Sequence, residues 1–227
     1  MIAKEGMPFV LSGFILTAFL FSGWLYSDNI WLLSAAMVAT ILTLFMAVFF
    51  RDPNRQIPEG TDILVSPADG FVVGIIEISD HHFLNGPAIQ VSIFLTIFDV
   101  HINRVPISGV VEYVNYKTGK FLSAFKEEAS EANEQSEIGL ITESGIKIAF
   151  KQIAGLVARR IICKLKNGQS CKTGERYGLI RFGSRADLIL PLGTKIEIKK
   201  GQHVKGGVTI IGRLRLAESN RDVRSSR

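Results

Sequence analysis

Three short stretches hold the side chains best suited to chemistry. Near the C-terminal end stands "RFGSR", Arg181 to Arg185. Its Gly183-Ser184 pair reads either as a turn or as a nucleophile set beside an uncrowded, strainable backbone carbonyl. Asp99-Val100-His101 lies in the apolar run "TIFDVHINRVP". In a strand, Asp99 and His101 share a face, where a carboxylate orients an imidazole and raises its basicity. A lone histidine in an apolar strand is also a common core residue, although Asn103 and Arg104 add polar company. Asp69 in "SPADG" is the third feature. Asp-Gly is a frequent hairpin turn, and the rigid Ser66-Pro67 approach serves a turn or a site equally.

The remaining reactive residues argue mainly by exclusion. His81 and His82 follow Asp80 as a loop pair, and His203 sits in a glycine-rich turn. Asp80, His81 and His82 are metal-ligand types, but no second cluster stands at a ligand spacing, so no metal is expected. Cys163 and Cys171 form no CxxC pair and read as reduced thiols of a cytoplasmic domain. A net charge of +5 suits an anionic partner, a membrane surface or nucleic acid. No basic stripe with interleaved aromatics supports nucleic acid. No Walker or dinucleotide-type glycine loop supports nucleotide chemistry.

The elements that must position these residues fall into two parts. Residues 1–50 hold two uncharged runs, Pro8 to Tyr26 and Ile30 to Phe50, separated by Ser27-Asp28-Asn29. Each is close to the ~20 residues a bilayer-spanning helix needs, and helices satisfy their own backbone in lipid. A transmembrane helical hairpin is predicted, spanning or re-entrant. Lys4, Arg51 and Arg55 flank it while the turn has no cation, which puts both ends on the cytoplasmic side. Trp24, Tyr26 and Trp31 suit an interfacial belt around the turn. Residues 51–60, with two prolines, read as a linker.

Residues 61–227 read as one mainly β domain, a barrel or sandwich with hammerhead-like turns and one or two short helices. Its runs are rich in Val, Ile and Phe, broken by Gly, Pro and Asp. Between Lys117 and Ile138 a short helix or ordered loop is expected. The pattern K-x-G-Q-x-x-K-x-G occurs twice, from Lys166 to Gly174 and from Lys199 to Gly207. Glycines at matching places imply two similar corners with positive φ. Two copies are too few for a solenoid.

Taken in order, "SPADG", "FDVHINR", "NEQ", "IAGLVARRI" and "RFGSR" closely resemble the short, single-polypeptide form of the phosphatidylserine decarboxylase family. The likeness runs the whole chain, including the hairpin and its "FFRDPNRQIP" exit. It implies a self-processing, pyruvoyl-dependent enzyme of the cytoplasmic (inner) membrane with its catalytic domain on the cytoplasmic side. The chain would cut itself between Gly183 and Ser184, into a β chain of residues 1–183 and an α chain of residues 184–227. Ser184 would become the pyruvoyl cofactor. That group would form a Schiff base with phosphatidylserine and draw in electrons as carbon dioxide leaves, giving phosphatidylethanolamine.

The same resemblance implies the residue roles. His101 transfers protons. Asp69 serves as base or orienting group in self-cleavage, and Asp99 orients His101. Longer members carry a second histidine where this chain has Arg104, so the division of labour between Asp69 and His101 stays open. Around "KFLSAF", Phe121 and Phe125 would press on the bilayer, or simply pack. Arg159 and Arg160 would pair with phosphate or carboxylate, or remain solvated. The expected partners are the bilayer, the phosphatidylserine substrate, and the cleaved α and β chains as a heterodimer or higher oligomer. Two other readings stand beside this: a related lipid substrate such as archaetidylserine, and a membrane-anchored, non-catalytic lipoyl-like β adaptor. The adaptor leaves "FDVHINR" and "RFGSR" unexplained and lacks a modifiable lysine at a tight turn.

Overall fold

The computed structural model describes residues 1–120, 122, 129–155, 160–181 and 184–215. It opens with two helices, α1 (Met7–Ser27) and α2 (Ile30–Phe49). Both are long and apolar enough to cross a membrane, with mean hydropathy 1.8 and 2.4. The turn between them follows from its residues. Asp28 adopts a left-handed φ of 48°, and its N–H closes on the Trp24 carbonyl at 2.8 Å. The Asn29 side chain caps α2 by accepting from the Trp31 N–H at 3.0 Å. Asp and Asn tolerate these roles better than other non-glycine residues. Gly13 allows close helix contact, because a Cβ there would come within 2.4 Å of Thr43 Oγ1.

The rest is mainly β. The strands are β1 (Ile63–Val65), β2 (Gly70–His81), β3 (Gly86–Leu95), β4 (Ile102–Arg104), β5 (Gly109–Lys117), β6 (Gln135–Thr142) and β7 (Lys147–Ile153). There follow β8 (Ile161–Cys163), β9 (Ser170–Cys171), β10 (Arg176–Ile180), β11 (Ser184–Pro191), β12 (Lys195–Ile196), β13 (His203–Val204) and β14 (Ile210–Arg213). Between β5, which runs on to Lys117, and β6, which starts at Gln135, the described residues hold one helical turn, α3 (Ala129–Ala132).

Eight strands form one antiparallel sheet in the order β13-β2-β3-β11-β7-β6-β5-β9. Two three-stranded sheets, β1-β14-β12 and β4-β10-β8, complete the fold. The period-two alternation of strands sorts the residues of the large sheet by face. Ile93, Leu95, Ile138, Leu140, Ile148, Phe150, Ala186 and Leu188 belong to the main core. Each large aliphatic there contributes roughly 1.5–3 kcal/mol on burial. The other face carries Ser92, Glu137, Lys151, Arg185 and Asp187. A second apolar cluster joins Ala3, Phe49 and Phe50 to Val100, Ile102 and Leu179. The base of the helical hairpin is thereby docked on β4 and β10.

The repeated K-x-G-Q motif builds two equivalent corners. Gly168 and Gly201 have φ of 77° and 84°, and their N–H groups donate to Val111 and Val72 carbonyls, both at 2.7 Å. Gly174 and Gly207 have φ of 76° and 74° and donate to Val105 and Ser66 carbonyls, both at 2.8 Å. In each copy the glutamine Oε1 accepts from the lysine N–H three residues earlier, at 3.1 and 3.2 Å.

Candidate active site

Ser184 is the first residue of β11 and pairs with Leu95 at the end of β3. In the next row Arg185 pairs with Phe94, and Phe94 pairs on its other side with Phe71 of β2. Gly70 therefore lies against the end of β3. A Cβ there would sit 2.1 Å from the Phe94 carbonyl oxygen, and its φ is 144°. Only glycine fits both demands. This close approach brings Asp69, the β3 terminus and Ser184 to one end of the sheet. Asp69 is no hairpin turn, since β1 and β2 join different sheets. By strand alternation the Ser184 side chain shares the core face with Ala186 and Leu188. It is fully buried, and its Oγ has no partner among the described residues. An unpaired buried hydroxyl costs on the order of 1–3 kcal/mol, so its presence calls for a reason.

His101 is buried beside this end, and its carbonyl accepts from the Ile180 N–H at 3.4 Å. Asp99 and His101 were expected on one strand face. They lie instead in the turn between β3 and β4, which frees their side chains from alternation. The Asp99 carboxylate turns away from His101. Its Oδ2 accepts from the Thr96 N–H and hydroxyl at 2.8 and 2.7 Å, and its Oδ1 meets His203 Nε2 at 2.8 Å. Asp99 instead orients His101 through its backbone: His101 Nδ1 stands 2.9 Å from the Asp99 carbonyl oxygen. A carbonyl can only accept, so Nδ1 carries the proton and Nε2 is left bare. That Nε2 is buried with no partner among the described residues. Burial pushes the imidazole down to about 4, against the raising effect of the Asp99 carbonyl. The ring is a neutral acceptor at physiological pH. Burial raises the Asp99 carboxyl, yet the bonds from Thr96 and His203 hold it below the ordinary range.

Asp69 is held on three sides. Arg55 pairs with it bidentately at 2.5 and 2.7 Å, and the Gly206 N–H donates to its Oδ1 at 2.8 Å. Such charge-assisted, forked pairs are strong and directional. Arg104 is engaged by the backbone of two loops: it donates to the Gly174 and Pro53 carbonyls at 3.0 and 3.1 Å and lies 3.4 Å from Asp52. The segment 51–60 is thus more than a spacer, because Arg51, Asp52, Asn54 and Arg55 all bond into the β domain. Sequence reasoning missed Arg55, which reads as a topology-setting charge, and His203, which reads as a turn residue. Their signal is the three-dimensional pairing alone. Gly183, Phe121, Phe125 and Arg159 lie outside the described residues. Arg160 is exposed, and its carbonyl accepts from the Arg181 N–H at 3.3 Å.

The site faces the helical hairpin. The Phe49 ring, fully buried at the end of α2, stacks on His101 with centroids 4.1 Å apart. The Arg181 guanidinium lies 5.0 Å from the ring centre of Phe9 in α1. Arg51 donates to the Phe98 carbonyl at 2.6 Å, while the Phe98 side chain is 72 % exposed. The His101 imidazole and the exposed Phe98 thus lie beside the exit of the apolar helices, and the buried Ser184 hydroxyl lies at the start of β11.

Residues 42–212 match the family model for phosphatidylserine decarboxylase. A phosphatidylserine decarboxylase proenzyme of Carboxydothermus hydrogenoformans is 46 % identical over 188 residues, covering 82 % of this chain and 86 % of the relative. Those of Desulfotalea psychrophila and Syntrophus aciditrophicus are each 44 % identical, covering 94 % and 93 % of this chain and 96 % of each relative. Through a matched core that runs from α2 to β14, the chain belongs to the phosphatidylserine decarboxylase family.

Proposed function

We propose that this chain decarboxylates phosphatidylserine to phosphatidylethanolamine, and that it first builds its cofactor by cutting itself between Gly183 and Ser184. Two buried atoms without a partner among the described residues carry this reading: Ser184 Oγ at the start of β11, and His101 Nε2 on the ring that lies against Phe49 of α2. His101 takes the Ser184 hydroxyl proton, and Oγ attacks the residue-183 carbonyl carbon. The amide C–N bond breaks, the nitrogen regains a proton, and an ester joins the two parts. Removal of the residue-184 Cα proton then expels the residue-183 carboxylate and leaves dehydroalanine. Water replaces its nitrogen, which departs as ammonia. One water is consumed and no outside oxidant is needed.

The residues present fit this product. Position 184 heads a strand hydrogen-bonded between β3 and β7, so residues 184–227 stay attached to residues 1–183 after the cut. A pyruvoyl group at that position supplies an electron sink for the pair released with carbon dioxide. The bare Nε2 of His101 is suited to hold and return a proton there. Asp69, tied to Arg55 and Gly206, acts by position and fixed charge, leaving the base role to His101. Phe98 and Ile97 extend toward the lipid side, and both ends of the hairpin face the cytoplasm, where Lys4, Arg51 and Arg55 stand. An anchored site meets a two-chain lipid at high effective concentration.

Ser184→Ala tests this directly. On a denaturing gel the native chain is expected to run as two pieces, and the variant as one uncut, inactive chain. The small fragment of the native protein should carry the mass of a pyruvoyl terminus and resist Edman degradation. Two fragments and full activity from the variant would refute the cofactor assignment.

A further inference from the structure

The outer face of the large sheet, opposite the Ser184 side chain, holds a second cluster. His81 ends β2, His82 opens the turn to β3, and Glu137 lies on β6. The sequence offers Asp80, His81 and His82 but no second cluster at a ligand spacing, and the fold supplies Glu137. Glu137 Oε1 lies 3.6 Å from His81 Nε2 and 3.3 Å from His82 Nε2. The two imidazole centroids are 4.7 Å apart. Tetrahedral zinc, with bonds of roughly 2.0–2.1 Å, separates its ligand atoms by about 3.3 Å. Both carboxylate–imidazole edges are therefore close to the spacing a metal requires.

His81 adds an independent sign. It is 6 % exposed, and neither ring nitrogen has a hydrogen-bond partner among the described residues. Its approach to Glu137 is too long for a hydrogen bond. A buried imidazole left unpaired costs free energy, and a metal bond removes that cost. The other groups around the cluster are Lys151, Tyr113 and Asp80. Lys151 Nζ holds Glu137 Oε2 at 2.8 Å and leaves Oε1 to other partners. The Tyr113 hydroxyl donates to Oε1 and is the group a metal must displace. Asp80 supplies a second negative charge beside His81. A cleft of about 610 Å³, lined in part by Asp80, His81 and Lys151, opens a route from solvent.

We propose that His81 Nε2, His82 Nε2 and Glu137 Oε1 form a site for a divalent transition metal of the zinc class, with water in the fourth position. Two imidazoles and one carboxylate suit zinc, cobalt or nickel rather than magnesium or calcium. The metal ties the end of β2 to β6 across the outer face and takes no part in the chemistry at Ser184.

The test uses the full-length processed protein in detergent, stripped with a chelator and titrated with Co²⁺. Intense tetrahedral ligand-field bands are expected, saturating at one Co²⁺ per chain and lost on adding Zn²⁺. His82→Ala and Glu137→Gln should each weaken binding by more than the ~10–100-fold that outer-shell changes cost. The His82 side chain is 65 % exposed, so its removal leaves the fold intact even if Glu137→Gln misfolds. Decarboxylation by metal-free His82→Ala should match that of the metal-free native protein. Absence of saturable Co²⁺ and Zn²⁺ binding in the native protein would overturn the site. So would an unchanged affinity in His82→Ala.

Discussion

The turn at 166–174 packs on β5 as the turn at 199–207 packs on β2, and the segments beneath them correspond residue by residue. "VPISG", residues 105–109, lies under the first, and "SPADG", residues 66–70, under the second. They cross each other symmetrically: the Arg104 N–H donates to the Pro67 carbonyl at 2.8 Å, and the Val65 N–H to the Pro106 carbonyl at 2.9 Å. Gly109 and Val110 pair with Cys171 and Ser170, as Gly70 and Phe71 pair with Val204 and His203. In the first corner, Ser108 Oγ accepts from the Thr173 N–H at 3.0 Å. In the second, Asp69 Oδ1 accepts from the Gly206 N–H at 2.8 Å. The backbone solution is shared and the side chains differ. One corner is closed by neutral hydroxyls. The other holds a buried carboxylate, met by Arg55 from the hairpin exit, beside the strand end that presents Ser184. The difference teaches that one charged side chain and the approach of a distant segment turn a shared corner into a candidate site, without new backbone geometry.

Exchanging residues between the corners breaks the comparison where it matters most. Asp69→Ser, which copies Ser108, removes a fixed charge and should slow self-cleavage on the order of 10²–10³-fold, read from the fraction of uncut chain with time. It also leaves Arg55 buried without its partner, at about 3–5 kcal/mol in a urea titration. The shape-preserving Asp69→Asn should show the same kinetic loss. Ser108→Ala in the other corner should leave cleavage and activity intact and cost about 1 kcal/mol. Equal kinetic losses in both corners would end the distinction.

A pH series sharpens it next. The His101 pKa in the fold, about 4, lies below its ordinary value of 6.5. The unfolded chain therefore binds a proton that the folded chain refuses between those values. Stability from neutral His101 is fully present above about pH 6.5 and is lost as pH falls toward 4, by about 2 kcal/mol at pH 5. Urea midpoints of the native protein should fall over that window more steeply than those of His101→Gln. Parallel pH dependences would show that this end of the fold carries no such strain.

Smaller effects are expected from the second turn itself. Gly206→Thr, which copies Thr173, puts a Cβ about 3.1 Å from the Ala68 backbone and should cost roughly 1–3 kcal/mol. His203→Ser, which copies Ser170, removes a half-exposed partner of Asp99. It should cost under about 1 kcal/mol and change kcat less than about tenfold, with a shifted acid limb in the pH–rate profile.

How much was legible beforehand differed from feature to feature. The hairpin announced itself, because two uncharged runs separated by three turn residues leave the backbone few other options. The strands from Gly109 to Tyr116 and from Ala186 to Pro191 were readable from β-branched runs ending at Gly or Pro. The doubled K-x-G-Q motif correctly announced two like corners, while the matching "VPISG" and "SPADG" beneath them share too few side chains to stand out. Ser184, His101 and Asp69 were singled out by motif, but their surroundings were not legible. The Asp99–His101 relation was misread because alternation was applied to residues that lie in a turn.

By itself the sequence determined the apolar helical hairpin, the β character, the twin turns and the order of the reactive motifs. Each depends on residues close together in the chain, where periodicity and backbone preference act directly. Only the tertiary structure decided that Arg55 holds Asp69, that His203 rather than His101 receives the Asp99 carboxylate, that Phe49 backs the imidazole, and that Glu137 joins His81 and His82. Those partners meet only after sheet register and hairpin docking are complete. Hydrogen bonds and ion pairs act over a few ångströms in space, whatever the distance along the chain.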